Sequence, residues 1–199
     1  ADMVFKKRVR SIFEWLQPTA DKTILDCCCG RGFYLNMIRA VSACTLYGLE
    51  LDPEIIAKTR QNLAHLPDIT LVRASIYEQP FEDASFDGVI LSEVLEHIDD
   101  DVRGLREVFR VLKPDGVVAI TVPNANYPFW WDPINKTLES LSLPPIKQGI
   151  LAGIWANHVR LYTKARLRQA VEAAGFLVEE ERAFTHYCFP FNHNVVYGI

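Results

Sequence analysis

Along residues 3–17, "MVFKKRVRSIFEWLQ", apolar side chains recur at helical spacing: Phe5, Val9, Ile12, Phe13 and Leu16 share one face, with Lys6, Lys7, Arg8 and Arg10 largely elsewhere. Pro18 marks the stop. From residue 22 the pattern changes to short apolar runs alternating with longer amphipathic ones. The runs "KTILDCC", "CTLYGLEL", "ITLVRAS", "FDGVILS", "GVVAITVP" and "FLVEEERAF" predict six strands, and "NVVYGI" at residues 194–199 a candidate seventh. Between them the spacing predicts helices near 33–41, 53–65, 101–112 and 163–174. Gly116 after "KPD" and Gly175 before Phe176 sit where helices end and strands begin.

Strands alternating with helices imply an α/β fold: a doubly wound, Rossmann-like, mostly parallel sheet with helices on both faces. One segment breaks the rhythm. After the fifth strand come more than thirty residues, "NANYPFWWDPINKTLESLSLPPIKQGILAGIWANH", rich in Trp and Pro. A connection that long is functional or disordered, and its tryptophans argue against disorder. It reads as an aromatic cap with a short helix near 134–142, presenting Tyr127, Trp130, Trp131, Trp155 and His158 to a substrate. The chain then divides into an N-terminal lid helix (1–18), a cofactor-binding core (22–123), the cap insertion (124–158) and C-terminal helix and strands (159–199), all one domain.

Composition narrows the function classes. A 199-residue chain with 49% hydrophobic and 23% charged residues supports one well-buried domain. Its net charge of −4 supplies no global positive field, so nucleic acid is disfavoured as a partner. No run of about 18 apolar residues and no signal-peptide layout occur, so the expectation is a cytoplasmic protein. The N-terminal helix serves as a lid or, through its basic and apolar faces, as a peripheral membrane contact. Five cysteines, Cys27, Cys28, Cys29, Cys44 and Cys188, form neither a disulfide framework nor a zinc ladder.

The stretch "TILDCCCGRGFYL" reads as buried strand, tight glycine turn and helix N-terminus, the first unit of a nucleotide site. Glu50 ends the second strand twenty residues after Gly30, where an acid accepts from ribose hydroxyls. A dinucleotide fingerprint wants a third glycine where Leu35 stands, which argues against a nicotinamide oxidoreductase. Consecutive strand residues alternate faces, so the three cysteines do not converge on one ion and packing is their expected role.

Asp26-x-x-x-Gly30-x-Gly32 with Glu50, followed by "FDGVILSEVLEH" and "RVLKPDGVVAITVPN", resembles the class I S-adenosylmethionine (SAM) dependent methyltransferases over residues 22–185. The resemblance implies SAM as cofactor. It assigns Gly30 and Gly32 to the approach of the methionine part, Asp26 to the loop or the amino group, Glu50 to ribose and Leu51 to adenine. It places Ser75 and Ile76 beside the adenine ring, with Ser75 standing where an acid is usual. Leu91 and Ser92 fall near the methyl-donor side, and Cys28 stands where the family has glycine.

Methyl transfer is an in-line displacement in which the protein supplies alignment and, for a hydroxyl acceptor, a base. "SEVLEHI" offers Glu93, Glu96 and His97, which a helical turn would put on one face. His97, with Glu93 beside it, is the candidate base. The pattern Glu-x-x-Glu-His also resembles the ubiquinone-biosynthesis O-methyltransferases and the small-RNA 2′-O-methyltransferases. That resemblance implies a divalent ion such as Mg²⁺ on Glu93, Glu96, His97 and His158; the same residues also serve as a helix cap without metal. The sequence reading is O-methylation of a small-molecule hydroxyl (sugar, phenol or prenylated headgroup). Its rivals are RNA 2′-O-methylation, a nicotinamide oxidoreductase and a catalytically silent SAM-binding module.

Overall fold

A computed structural model describes residues 3–66 and 68–184. Its elements run α1 (Met3–Leu16), β1 (Thr23–Cys27), α2 (Phe33–Arg39), β2 (Thr45–Glu50), α3 (Pro53–Asn62), β3 (Ile69–Arg73), β4 (Phe86–Ser92), α4 (Asp101–Val111), β5 (Leu112–Thr121), α5 (Pro133–Ser140) and α6 (Lys164–Ala173). The five strands form one parallel sheet in the order β3-β2-β1-β4-β5, so the expected doubly wound architecture is present. Chain direction across the sheet reverses between β1 and β4. The crevice outside their carboxyl ends is where such sheets bind ligands.

Local chemistry explains the helix starts. Asp52 caps α3 by accepting from Glu54 and Ile55 N–H, with Pro53 at the first helical position. Asp100 caps α4, Asp132 caps α5 and Thr163 caps α6 in the same way. The turn "KPDG" enters β5 as a bulge, the register passing from Phe86 opposite Leu112 to Gly88 opposite Val117. An Asp87–Lys113 ion pair at 2.9 Å spans it.

Each face of the sheet has its own core. Leu25, Cys27, Leu49, Val89 and Leu91 pack with Leu105 and Val108 of α4 and Val171 of α6. Ile24, Cys29, Leu46, Ile90 and Ala119 pack with Leu35 and Ile38 of α2 and with Val9, Ile12 and Leu16 of α1. The apolar stripe of α1 is thus spent on the sheet, at roughly 1.5–3 kcal/mol per fully buried side chain. Leu16 lies so close to β4 that a Cβ on Gly88 would sit 2.9 Å from its Cδ2.

Two expectations about the C-terminal part change. "FLVEEERAF" was expected as a sixth strand, but residues 176–184 form no ladder, and no described strand pairs with the outer edge of β5. Side chains hold this segment instead: Glu180 accepts from the Trp15 indole, Arg182 pairs with Glu14, and Glu181 pairs with Arg168. The candidate seventh strand at 194–199 lies outside the described residues, as does Cys188. Between β5 and α6, the cap contains α5 where a helix near 134–142 was expected, flanked by 3-10 turns at Phe129–Trp131 and Gly153–Trp155.

Candidate active site

Asp26, the fourth residue of β1, is fully buried, and its Oδ2 has no hydrogen-bond partner. Burial, with the Glu50 charge adding to it, pushes its carboxyl up to about 7. An unpaired buried carboxylate oxygen is expensive, and it marks a position built to receive a donor or a cation. Beyond it the chain turns through Cys28 (φ 62°), Gly30 (φ 51°) and Gly32 (φ 81°). Cys28 holds a left-handed conformation at a cost of roughly 1–2 kcal/mol that glycine would not incur. A Cβ built on Gly30 meets nothing within 4 Å, so the backbone there borders open space. Gly32 has a different reason: a Cβ would fall 2.8 Å from Leu63 and 2.9 Å from Thr59. Its missing side chain lets the loop pack under α3.

The cysteines do not follow strand alternation, which would put Cys27 and Cys29 on one face. β1 ends at Cys27, and the left-handed turn at Cys28 sends Cys27 into the α4/α6 core and Cys29 into the α1/α2 core, so the sulfurs still do not converge. A hydrogen bond with Cys28, followed by burial, raises the Cys27 thiol well above its ordinary pKa. Burial also raises Cys29. Both are therefore packing thiols rather than nucleophiles.

Glu50 ties the crevice together. Its Oε2 accepts from Gly30 N–H at 3.1 Å, and its Oε1 from Leu51 and Asp52 N–H at 2.8 and 3.0 Å. A carboxylate has about four acceptor positions, which leaves one for a ribose hydroxyl unless the longer Gly30 bond gives way. Leu51 stands 58% exposed beyond β2, an apolar platform free to take a ring. Ile76 is buried, and the Ser75 hydroxyl accepts from Tyr77 N–H within its own turn.

At the end of β4 the expectations divide. The Leu91 side chain is wholly inside the α4/α6 core, so only its backbone is available to a cofactor. Ser92 joins a hydrogen-bonded chain: Tyr34 hydroxyl at 3.0 Å, Ser92, then Thr121 hydroxyl at 2.8 Å, which donates to Glu93 Oε1 at 2.9 Å. Arg8 of α1 completes it with an ion pair to Glu93 at 3.0 Å. Periodicity carries no signal for Thr121 or Tyr34, and it places Arg8 only off the apolar face of the N-terminal helix.

The expected helical turn over Glu93, Glu96 and His97 is absent. Glu93 has φ 56° and its carboxylate goes to Thr121 and Arg8, while Val94 to His97 form a tight turn closed by His97 N–H to Val94 O. A residue at that φ cannot begin a helix, so Glu93 leaves the face of the other two. Glu96, His97 and His158 do come together, one ligand atom of each lying within 4.8 Å of the others. Glu96 is fully buried with neither oxygen bonded, and burial, then the Glu93 charge, pushes it up to about 8. The His97 and His158 rings meet edge-on at 4.7 Å. Burial, then proximity to His97, lowers the His158 pKa, and its Nδ1 has no partner. His97 Nδ1 lies 3.0 Å from the Asn157 carbonyl.

In the cap, the five expected substrate residues separate into two groups. Trp131 and His158 line a cavity of about 1700 Å³ together with Arg8, Glu93 and Thr121. Tyr127, Trp130 and Trp155 are not in its walls. Tyr127 is buried and its hydroxyl, like the Trp155 indole N–H, donates to Glu139 at 2.7 and 2.9 Å. These two hold the cap together; Trp130 projects outward, 65% exposed. The cavity continues along the outer edge of β5 between α1 and α6, and none of Asp26, Gly30 or Glu50 lines it. Its lining reaches the carboxyl ends of β4 and β5 at Glu93 and Thr121.

Residues 25–120 match a family model described as a methyltransferase domain. A probable S-adenosylmethionine-dependent methyltransferase of Mycolicibacterium smegmatis is 30% identical over 84% of this chain and 56% of its own length. Over these residues the chain is similar to the SAM-dependent methyltransferases. A 2-phytyl-1,4-naphtoquinone methyltransferase of Trichormus variabilis is 33% identical over 54% of this chain and 49% of its own length. The crystal structure of a SAM dependent methyltransferase from Aquifex aeolicus superposes with a TM-score of 0.64 at 16% identity, covering 87% of this chain and 81% of that one. This chain spans about half the length of the curated relatives it matches. The SAM for which these relatives are named fits the crevice. The orphaned Asp26 oxygen suits the positive methionine end of SAM, and the open side of Gly30 admits it.

Proposed function

We propose that the protein transfers a methyl group from SAM to a hydroxyl of a small-molecule acceptor. When bound, SAM supplies an electrophilic methyl carbon on its sulfonium. The chain's own residues do the rest. Asp26 and the Gly30 backbone receive the methionine part, Glu50 the ribose, and Leu51 with Ile76 the adenine. The Ser92–Thr121–Glu93–Arg8 chain braces the crevice's acceptor side against α1.

The observation that carries the base assignment is the His97 Nδ1 contact at 3.0 Å. A backbone carbonyl only accepts, so Nδ1 carries the proton and Nε2 is left with its lone pair. A neutral imidazole held this way takes an acceptor's hydroxyl proton as the methyl arrives. The aromatic wall at Trp131 suits a ring, and relatives named for phytyl naphtoquinone and demethylmenaquinone support a prenylated ring headgroup over a sugar.

A second reading has its own observation. Glu96, His97 and His158 offer three converging ligand atoms, and Glu96 lacks any other partner. A divalent ion such as Mg²⁺ there would lower an acceptor hydroxyl's pKa, with Glu93 outside its coordination. The test is calorimetric titration with SAM and with S-adenosylhomocysteine, with and without Mg²⁺, followed by turnover on a panel of demethylated quinols and catechols. Turnover that survives EDTA but collapses in His97→Ala supports the base reading; loss on chelation and recovery with Mg²⁺ supports the ion. SAM binding without turnover on any acceptor would leave a silent SAM-binding module, and no SAM binding would end the proposal.

A further inference from the structure

The turn that carries Glu96 and His97 does not hold itself in place. In a helix, the carbonyls of residues 96, 98 and 99 would accept from the N–H groups four positions on. Those donors are engaged elsewhere: Asp100 N–H goes to the Tyr77 hydroxyl, Val102 N–H to the Asp101 carboxylate and Arg103 N–H to the Asp100 cap. The three carbonyls therefore need other partners.

They find them on the segment 157–162, which leaves the cap toward α6. Val159 N–H donates to the Glu96 carbonyl at 2.7 Å. One terminal nitrogen of the Arg160 guanidinium donates to the Ile98 carbonyl at 2.6 Å and to the Leu95 carbonyl at 3.0 Å, and the other donates to the Asp99 carbonyl. The Arg160 side chain is only 11% exposed, and the Asp101 carboxylate 3.7 Å away offsets its charge. Tyr162 steadies that carboxylate by donating to it at 2.6 Å. Tyr162 also bridges to Asn124 and accepts through its carbonyl from Ala125 N–H at 2.8 Å, so the segment is anchored just beyond the end of β5.

The same segment supplies the Asn157 carbonyl that meets His97 Nδ1 and the His158 ring that meets the His97 ring. Arg160 thus joins the two pieces of chain whose separation sets where His97 stands. We propose that Arg160 is a positioning residue for the His97–His158 pair: its guanidinium locks the 95–99 turn against the segment 157–162, so that His97 keeps its contact with the Asn157 carbonyl and its Nε2 free. Three carbonyls reached from one side chain match a planar fork of donors and not the point charge of an ammonium. The role given to His97 rests on the proposed methyl transfer; the placement of the two rings does not depend on it.

The test is Arg160→Lys in the whole chain, compared with Arg39→Lys. Arg39 clasps the Ser42, Cys44 and Asp68 carbonyls at the amino ends of β2 and β3, away from the crevice, and so controls for lost stability alone. Histidine side-chain NMR, with His97 assigned by its disappearance in His97→Gln, reads the Nδ1-protonated tautomer and the His97–His158 ring contact without any acceptor. Arg160→Lys should lose both signatures, bind SAM within about twofold of wild type, and turn over the acceptor roughly ten- to a hundredfold more slowly in kcat. Arg39→Lys should keep both signatures and its kcat even where its Tm falls as far. Tyr162→Phe loosens the same clasp more mildly and should shift the same readouts in the same direction, which keeps the proposal testable if Arg160→Lys does not fold. Histidine signatures unchanged in both Arg160→Lys and Tyr162→Phe overturn the proposal. So does an equal loss of kcat in Arg39→Lys at equal Tm, because the effect is then one of stability. Wild-type protein without turnover on any acceptor would sink the methyl-transfer reading alone, since the ring signatures are read independently of it.

Discussion

Asp26→Asn should make the ligand-free protein more stable, and more so as pH rises. The native carboxyl is pushed up to about 7 by burial and by Glu50, whereas an unfolded aspartate titrates near ~3.9. Between those values the native state holds a proton that the unfolded state has released, so stability falls as pH increases; below ~4 both states are protonated and there is no cost. Integrating the two titrations gives a cost of ~1.5 kcal/mol at pH 5 and ~4 kcal/mol at pH 8, upper figures because relaxation and water entry reduce them. Asparagine has the shape of the protonated acid and does not ionise, so it removes that cost. Urea unfolding of wild type and variant at the two pH values reads the effect as a difference that widens by about 2–3 kcal/mol. Glu96, whose carboxyl is also raised, is common to both proteins and cancels. A variant whose advantage does not grow with pH, or which is less stable at pH 8, would refute the account of Asp26 as an unpaired carboxylate waiting for a cation.

The same carboxylate predicts that SAM affinity in calorimetry rises from pH 6 to pH 8, with proton release on binding, because the cationic cofactor favours the ionised form; a flat profile in wild type would contradict this. Glu50→Ala should weaken SAM binding at least about tenfold and also lower Tm, since it strips an acceptor from three backbone N–H groups. Gly32→Ala should cost about 2 kcal/mol in urea unfolding through its φ of 81° and its contact with Leu63 and Thr59. Asn135→Ala should loosen the cap, seen as faster proteolysis within 141–152, while SAM affinity stays as in wild type.

Strands β1 to β5, the four helices between and after them, and the clustering of Asp26, Gly30 and Glu50 at one strand end were legible because they rest on local regularities. Apolar period, glycine turns, and an acid at a strand end are short-range constraints that neighbouring residues express by themselves. "FLVEEERAF" shows the limit. Its apolar content suits a strand, but a strand exists only where another edge accepts its backbone, and side-chain pairs to α1 and α6 hold it without a ladder.

The candidate site divides along the same line. Periodicity could say that Glu93, Glu96 and His97 are close, but not that a positive φ at Glu93 turns its carboxylate to Thr121 and Arg8. Nor could spacing say that Tyr127 and Trp155 are consumed by Glu139 while Trp130 faces solvent. The sequence by itself determined the alternation of strands and helices and the cofactor loop, because each is encoded within one element or one turn. Only the tertiary structure decided which polar groups are already satisfied, which are buried without a partner, and which apolar side chains have nothing to cover them. Those properties belong to pairs of residues far apart in the chain, and they exist only once packing has brought the pairs together.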